Sequence, residues 1–363
     1  MNCLDNFFGL LIRGTDLTEP ECDCVSLAYK EKGRDFMYQI AKKKKILPFA
    51  ANAFVACDLD KPFWEEILQQ YRQRNTAILA CLHTAYEALA CQGVQKMFVS
   101  ENFGALLSSG NDIALFASGD VDNYADPSEK EKIYRAFEAL GYTCKERFTG
   151  GHQIAAEFFP RETEGLPEKF YISVDFYPLA RLNLPCFIRS DEFVDWENIF
   201  CYKNTAVKLP PPDALMYICM QHISLHSFSR APDIRLYIDL LNMSYTQVDY
   251  DKLAAWCKRD YTCTRAAVAA QLSNLLMKTQ IPEAVVGLSD KRHRVIKLVY
   301  DEQRNALRYE PMRLKVLYIE LSCHDKGIFA GVGSILFPDK EWMRNVYGNS
   351  GFVAHIKHFC KVL

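Results

Sequence analysis

The sequence predicts an α+β fold, a small mixed β-sheet flanked by N-terminal and C-terminal helical regions. Three observations carry this expectation. Apolar residues recur at helical spacing from Pro62 onward; short apolar runs and turn signals between residues 95 and 177 follow the order strand, helix, strand, helix; and helical patterning returns beyond Asp249. The expected units are an N-terminal helical region at 1–94, an α/β core at 95–205 and a C-terminal helical region at 206–363. A chain of 363 residues accommodates two or three such units and a sizeable core.

In the first region, Lys42-Lys43-Lys44-Lys45 reads as a solvated helix face. Phe63, Ile67, Leu68, Tyr71, Ile78, Leu79, Leu82, Tyr86 and Leu89 then form one apolar stripe that Gly93 ends. In the core, Met97-Phe98-Val99 reads as a buried strand and Glu101 to Leu107 as a helix start. A second strand follows Ser118-Gly119. Pro127 and Ser128 open a helix over Glu129 to Leu140, closed by Gly141. Gly150-Gly151-His152 makes a turn, Gln153 to Phe159 a strand, and Phe170 to Tyr177 a further strand that Pro178 ends.

Composition narrows the function. Hydrophobic residues make up 49% and charged residues 24%, the balance of an ordinary globular protein. A formal net charge of −2 gives no basic field, so nucleic acid is not favoured as a partner. The 14 cysteines are scattered without zinc-ligand spacing and read as free thiols, which with the lack of a secretory pattern points to the cytoplasm. The apolar stretch Gly327 to Phe337 is far short of the roughly 20 residues that span a bilayer, so no membrane role is expected.

The chemistry concentrates at Ser118-Gly119-Asp120-Val121-Asp122. In a strand, alternate side chains share a face, so Asp120 and Asp122 project together while Val121 packs behind them. Two adjacent carboxylates repel unless a cation offsets their charge, and Mg²⁺ or Mn²⁺ takes oxygen ligands. Asp175 points away from Ile172, Val174 and Phe176 on its own strand. Were that strand to lie beside the Asp120 strand, about 4.8 Å away, three carboxylates could meet on one patch.

These residues carry a resemblance. Gly104, Ser118-Gly119-Asp120-Val121-Asp122, Leu140-Gly141-Tyr142 and Val174-Asp175-Phe176 are similar to the pattern of the uncharacterised nucleotidyltransferase family, a branch of the DNA polymerase beta-like nucleotidyltransferase superfamily. Further on, Pro210 to Leu215, Cys219 to His226, Ile234 to Leu240, Leu336-Phe337-Pro338 and Met343 to Tyr347 resemble its C-terminal helical region and ending. The resemblance implies that the sheet is a nucleotidyltransferase core. It further implies a two-metal transfer of a nucleoside monophosphate from an NTP to a small-molecule or protein acceptor. Asp120, Asp122 and Asp175 would be the catalytic acids and metal ligands, with Gly104, Ser118 and Gly119 leaving backbone N–H groups open to the nucleotide phosphates.

The sequence departs from the family in one respect. Many relatives carry a basic residue near the first glycine and another before the acids, whereas this chain has no Lys or Arg between Lys96 and Lys130. Cationic help must come from elsewhere, with Lys130, Lys132, Arg147, Arg230 and Arg235 as candidates. His152, His222, His226, Arg230 and Arg235 are candidate cleft-lining residues, and Asp239 reads as a structural partner of Arg235 one turn away. Two alternatives stay open. The missing cations suit a non-catalytic nucleotide- or partner-binding module, and the i, i+4 pair His222 and His226 suits a metal-dependent phosphohydrolase, although no acid follows His222.

Overall fold

A computed structural model of the protein describes residues 7–149, 152–176, 194–225, 233–289 and 340–362, together with positions 296, 325, 329, 333 and 336–338. Five helices precede the sheet: α1 (Phe7–Arg13), α2 (Glu19–Lys32), α3 (Arg34–Lys43), α4 (Leu47–Ala56) and α5 (Lys61–Cys91). Each local start has a chemical reason. Glu21 reaches back to accept from the Thr18 backbone N–H at 2.9 Å at the head of α2, and Pro62 occupies the first turn of α5, where its missing N–H costs nothing. Beyond α5, Gly93 takes a left-handed φ of 71°.

The sheet has the strand order β1-β2-β5-β4-β3, from β1 (Met97–Val99), β2 (Asp120–Ala125), β3 (Thr143–Thr149), β4 (His152–Phe159) and β5 (Tyr171–Asp175). Only β2 and β5 run parallel, so the expected mixed sheet is found. Helix α6 (Glu101–Ser109) joins β1 to the loop before β2, and α7 (Lys130–Ala139) joins β2 to β3. β3 is the strand that periodicity missed. Its Thr-Cys-Lys-Glu-Arg-Phe-Thr run has few apolar residues because it is the sheet's exposed edge, where polar side chains are tolerated on both faces.

A short hairpin of β6 (Phe200–Cys201) and β7 (Lys208–Leu209) follows. It runs across the boundary expected at residue 205 and is tied back to the sheet, since Lys208 Nζ donates to the carbonyls of Val94 and Gln95 at 3.3 and 3.2 Å. Among the described residues, the C-terminal helices are α8 (Pro212–Leu225), α9 (Leu236–Ser244), α10 (Tyr250–Arg259), α11 (Cys263–Met277), α12 (Glu283–Val286), α13 (Lys340–Tyr347) and α14 (Phe352–Val362).

The two helical regions share one core. Leu11, Phe54 and Trp64 from the N-terminal part and Tyr217, Tyr237 and Val268 from the C-terminal part belong to a single buried apolar cluster. A charged clamp reinforces it: Arg13 donates two hydrogen bonds to Glu21, at 2.7 and 2.6 Å, and Lys278 at the end of α11 pairs with the same carboxylate. A second cluster joins Ile78, Leu82 and Leu89 of α5 to one face of the sheet and to Ile133 and Phe137 of α7. Helix α5, 31 residues and so about 46 Å long, spans both clusters. Cys24 departs from the expected free thiols, being disulfide-bonded, while the other described cysteines are free. No helix among the described residues is long and apolar enough to cross a membrane.

Candidate functional site

Strand register decides which side chains can meet. Asp120 pairs with Tyr171, Asp122 with Ser173 and Tyr124 with Asp175 across the parallel β2–β5 ladder, so these six residues share a face. The antiparallel pairing of β5 with β4 adds Glu157 beside Ser173 and Ala155 beside Asp175, and β3 adds Arg147 beside Ala155. The three expected acids therefore lie on one face of two adjacent strands. Their partners on the other face, Val121, Asn123, Ile172 and Val174, are fully buried.

The surrounding elements hold the acids in place. Asn75, fully buried in the middle of α5, donates to the carbonyls of Ile113 and Phe116 at 2.6 and 3.0 Å and so fixes the loop that delivers Ser118-Gly119. Tyr86 of α5 donates to Asn123 Oδ1 at 2.8 Å, and Asn123 Nδ2 donates to the Ser173 carbonyl at 3.1 Å, locking β2 to β5 from behind. At Gly104 a Cβ would lie 2.6 Å from the Val99 carbonyl oxygen, so packing of α6 on β1 alone demands the glycine. Gly119 is different: a Cβ there would meet nothing nearer than Pro167, at 4.0 Å, and the turn beside Asp120 is open.

Each acid has its own partners. Asp120 accepts from Ser118 Oγ and, at 3.0 Å, from the Tyr171 hydroxyl, whose own pKa is pushed up by burial and by this carboxylate. Asp122 accepts a long 3.4 Å bond from Asn102 Nδ2. Loss of solvation, followed by repulsion from Glu101, Asp120 and Asp175, drives the Asp122 carboxyl well above the usual carboxylate range, with Arg235 opposing. Asp175 is paired with Arg147 Nη2 at 3.1 Å, and the same guanidinium reaches Ser173 Oγ at 3.2 Å and Glu157 at 3.5 Å.

That pairing bears on the metal reading. Among the described residues, no three or more His, Cys, Asp or Glu side chains are grouped to hold a metal ion. The acids share a face and repel one another, but Asp175 is turned to an arginine. The donor set fits a hard cation in its chemistry, with oxygen ligands and excess negative charge at Asp122; the third ligand fits only if it leaves Arg147.

Among the described residues, Arg235 and Arg147 reach the expected acids or the turn before them although no Lys or Arg lies between Lys96 and Lys130. Arg235, just before α9, donates from Nη1 to Ser118 Oγ at 2.9 Å, and Arg147 comes from the sheet edge. Lys132 instead pairs with Glu129 and the Gly93 carbonyl, and Lys130 lies over the Tyr134 ring. His222, on α8, meets Glu101 Oε2 at 3.0 Å. His226 and Arg230 lie outside the described residues, as does the side chain of His152, which opens β4. The phosphohydrolase ligand pair is therefore not assembled among the described residues.

Two roles differ from the sequence reading. Asp239 makes no hydrogen bond to Arg235, whose Nη1 goes to Ser118; it is 3% exposed, and burial pushes its carboxyl up to about 7. Glu101 was read only as a helix-start residue. It is 6% exposed, adopts a φ of 43° that costs a non-glycine residue about 1 kcal/mol or more, and accepts from the Tyr124 hydroxyl at 2.9 Å. An acid at the first turn of a helix complements the helix dipole in any protein, so nothing in its position along the chain separates this buried one from a solvated one.

Beside the acids opens a cleft of about 280 Å³, including its mouth. One wall is polar, with Asn102, Ser118, Arg235 and Asp239, and the other is apolar, with Phe49 and Phe116. Compared with protein-family models, curated proteins and solved structures, the chain gives no match.

Proposed function

We propose that the protein is a Mg²⁺- or Mn²⁺-dependent nucleotidyltransferase that moves a nucleoside monophosphate from an NTP to a small-molecule or protein acceptor. The observation that carries this reading is the register of β2 and β5, which sets Asp120, Asp122 and Asp175 on one face behind the open Ser118-Gly119 turn. Such a cluster is unfavourable by itself. Asp122 is pushed toward its protonated form by burial and then by three neighbouring acids, an arrangement that opposes folding and is relieved by a bound cation.

Asp120 and Asp122 would hold the ion, and Asp175 would join them after parting from Arg147. A bound divalent cation would lower the pKa of the acceptor hydroxyl and neutralise the leaving pyrophosphate. The chain's own groups do the rest. The Ser118-Gly119 turn, unhindered by a side chain at Gly119, presents backbone N–H groups to phosphate oxygens, and Arg235 adds the positive charge that the segment 97–129 lacks.

The Arg147–Asp175 pair also favours a second reading, a non-catalytic module that binds a nucleotide or a partner protein, because an arginine already supplies the charge a metal would. The two readings part on turnover. The four NTPs, with Mg²⁺ or Mn²⁺ and a cell extract as acceptor source, are expected to yield pyrophosphate in an Asp122-dependent way. Silence with all four, despite nucleotide binding, selects the binding module. A metal-dependent thermal shift with NTP that persists unchanged in Asp122→Ala sinks both.

A further inference from the structure

Two polar groups that line the cleft lack a hydrogen bond among the described residues, although His222 and Arg235 attract the Asp239 carboxylate through space. Asp239, 3% exposed, accepts no hydrogen bond among the described residues, and Arg235 Nε is buried with no acceptor. Both line the same cleft. Buried polar groups are almost always satisfied, and an orphan carboxylate and an orphan N–H donor side by side mark a place where something is bound. Above a pH of about 7, where Asp239 is ionised, that group donates to Asp239 and accepts from Arg235. It is also small, because the enclosed part of the cleft has room for little more than a water-sized group.

A hydroxyl meets all three conditions. It carries one donor proton and two acceptor lone pairs on a single atom, unlike a phosphate oxygen, which only accepts and would be repelled by Asp239. The apolar wall of Phe49, Leu106 and Phe116 suits the carbon skeleton that brings the hydroxyl in. We propose that this cleft binds a sugar or polyol through one hydroxyl, which donates to Asp239 and accepts from Arg235 Nε. The cleft adjoins the acids: Ser118 and Asn102 line it and hydrogen-bond Asp120 and Asp122 respectively. This deepens the nucleotidyltransferase reading and rests on it for the rest of the ligand, since the hydroxyl belongs either to the nucleotide's ribose or to an acceptor alcohol.

The test uses the full chain and two variants, Asp239→Leu, which keeps the branching but removes the acceptor, and Arg235→Lys, which removes Nε while keeping the charge. Titration calorimetry and thermal shift are read with Mn²⁺ and each of the four NTPs, with their 2′-deoxy and 3′-deoxy counterparts, and separately with glycerol, ribose, glucose and myo-inositol. If the hydroxyl is the ribose's, the wild type prefers an NTP over one of its deoxy forms by about tenfold or more, and a folded variant loses the preference. If it is the acceptor's, NTP binding ignores the deoxy change while a sugar or polyol binds the wild type and is lost in the variants. Either result supports the proposal. Affinities unchanged within about twofold across all probes in whichever variant folds mean an ordered water only, and overturn it. Failure of the nucleotidyltransferase reading looks different: no NTP binds the wild type, yet the sugar-induced shift still depends on Asp239.

Discussion

The two faces of the five-stranded sheet are built from the same strands and behave oppositely. On one face Val121, Ile172, Val174, Ala156 and Phe158 are closed over by α5 and α7, and each large side chain buried there contributes about 1.5–3 kcal/mol. On the other, Asp120, Asp122, Glu157 and Asp175 crowd together, with Lys145, Arg147 and Arg235 among the cations near them. A period-two alternation thus separates what stabilises the sheet from what strains it. The strained face is held in register by the buried one, through Asn123, Tyr86 and the apolar rows behind the acids.

The contrast can be broken from the apolar side first. Phe158 stacks on Phe137 at 4.0 Å, and Phe158→Ala is expected to lower unfolding stability by about 3–5 kcal/mol in urea titrations. A loss under 1 kcal/mol would mean that the acid face has its own support.

The acid side should respond with the opposite sign. Because the folded protein holds the Asp122 proton more tightly than the unfolded chain, the folded state binds the extra proton between the two pKa values, and stability falls as pH rises from the ordinary carboxylate range toward the raised one. Asp122→Asn removes that fall. It should stabilise the metal-free protein at pH 8 by about 1–2 kcal/mol, with a smaller gain at pH 5. Equal stabilities at both pH values would show that the acids do not repel as the register implies.

The smallest effect is expected at the edge. Arg147 is 43% exposed, so Arg147→Gln should cost at most about 1 kcal/mol. It should also free Asp175 and tighten Mn²⁺ binding measured by electron paramagnetic resonance. Weaker Mn²⁺ binding in the variant would make Arg147 a support of the site instead of a rival for its third ligand.

How much of this was legible in the sequence varies with the physics involved. Alternation in Phe170 to Tyr177 and the Asp-Val-Asp spacing placed Asp120, Asp122 and Asp175 on one face, because strand parity is local. The stripe from Phe63 to Leu89 gave α5 for the same reason. β3 stayed hidden because an edge strand needs no apolar pattern. Arg147 and Glu101 took their roles from partners 28 and 23 positions away, and no local signal reports such distances.

The shared helical core also dictates an order of events. Leu11, Phe54 and Trp64 bury themselves against Tyr217, Tyr237 and Val268, and Glu21 awaits Lys278, 257 positions later. During synthesis the first four helices therefore leave the ribosome with apolar surface that nothing yet covers, and they stay dependent on chaperones or on transient non-native contacts until the last third of the chain emerges. The same closure lays α8 and α9 against α6, so the nascent chain acquires its carboxylates early and the cleft beside them only after Asn242 has been added.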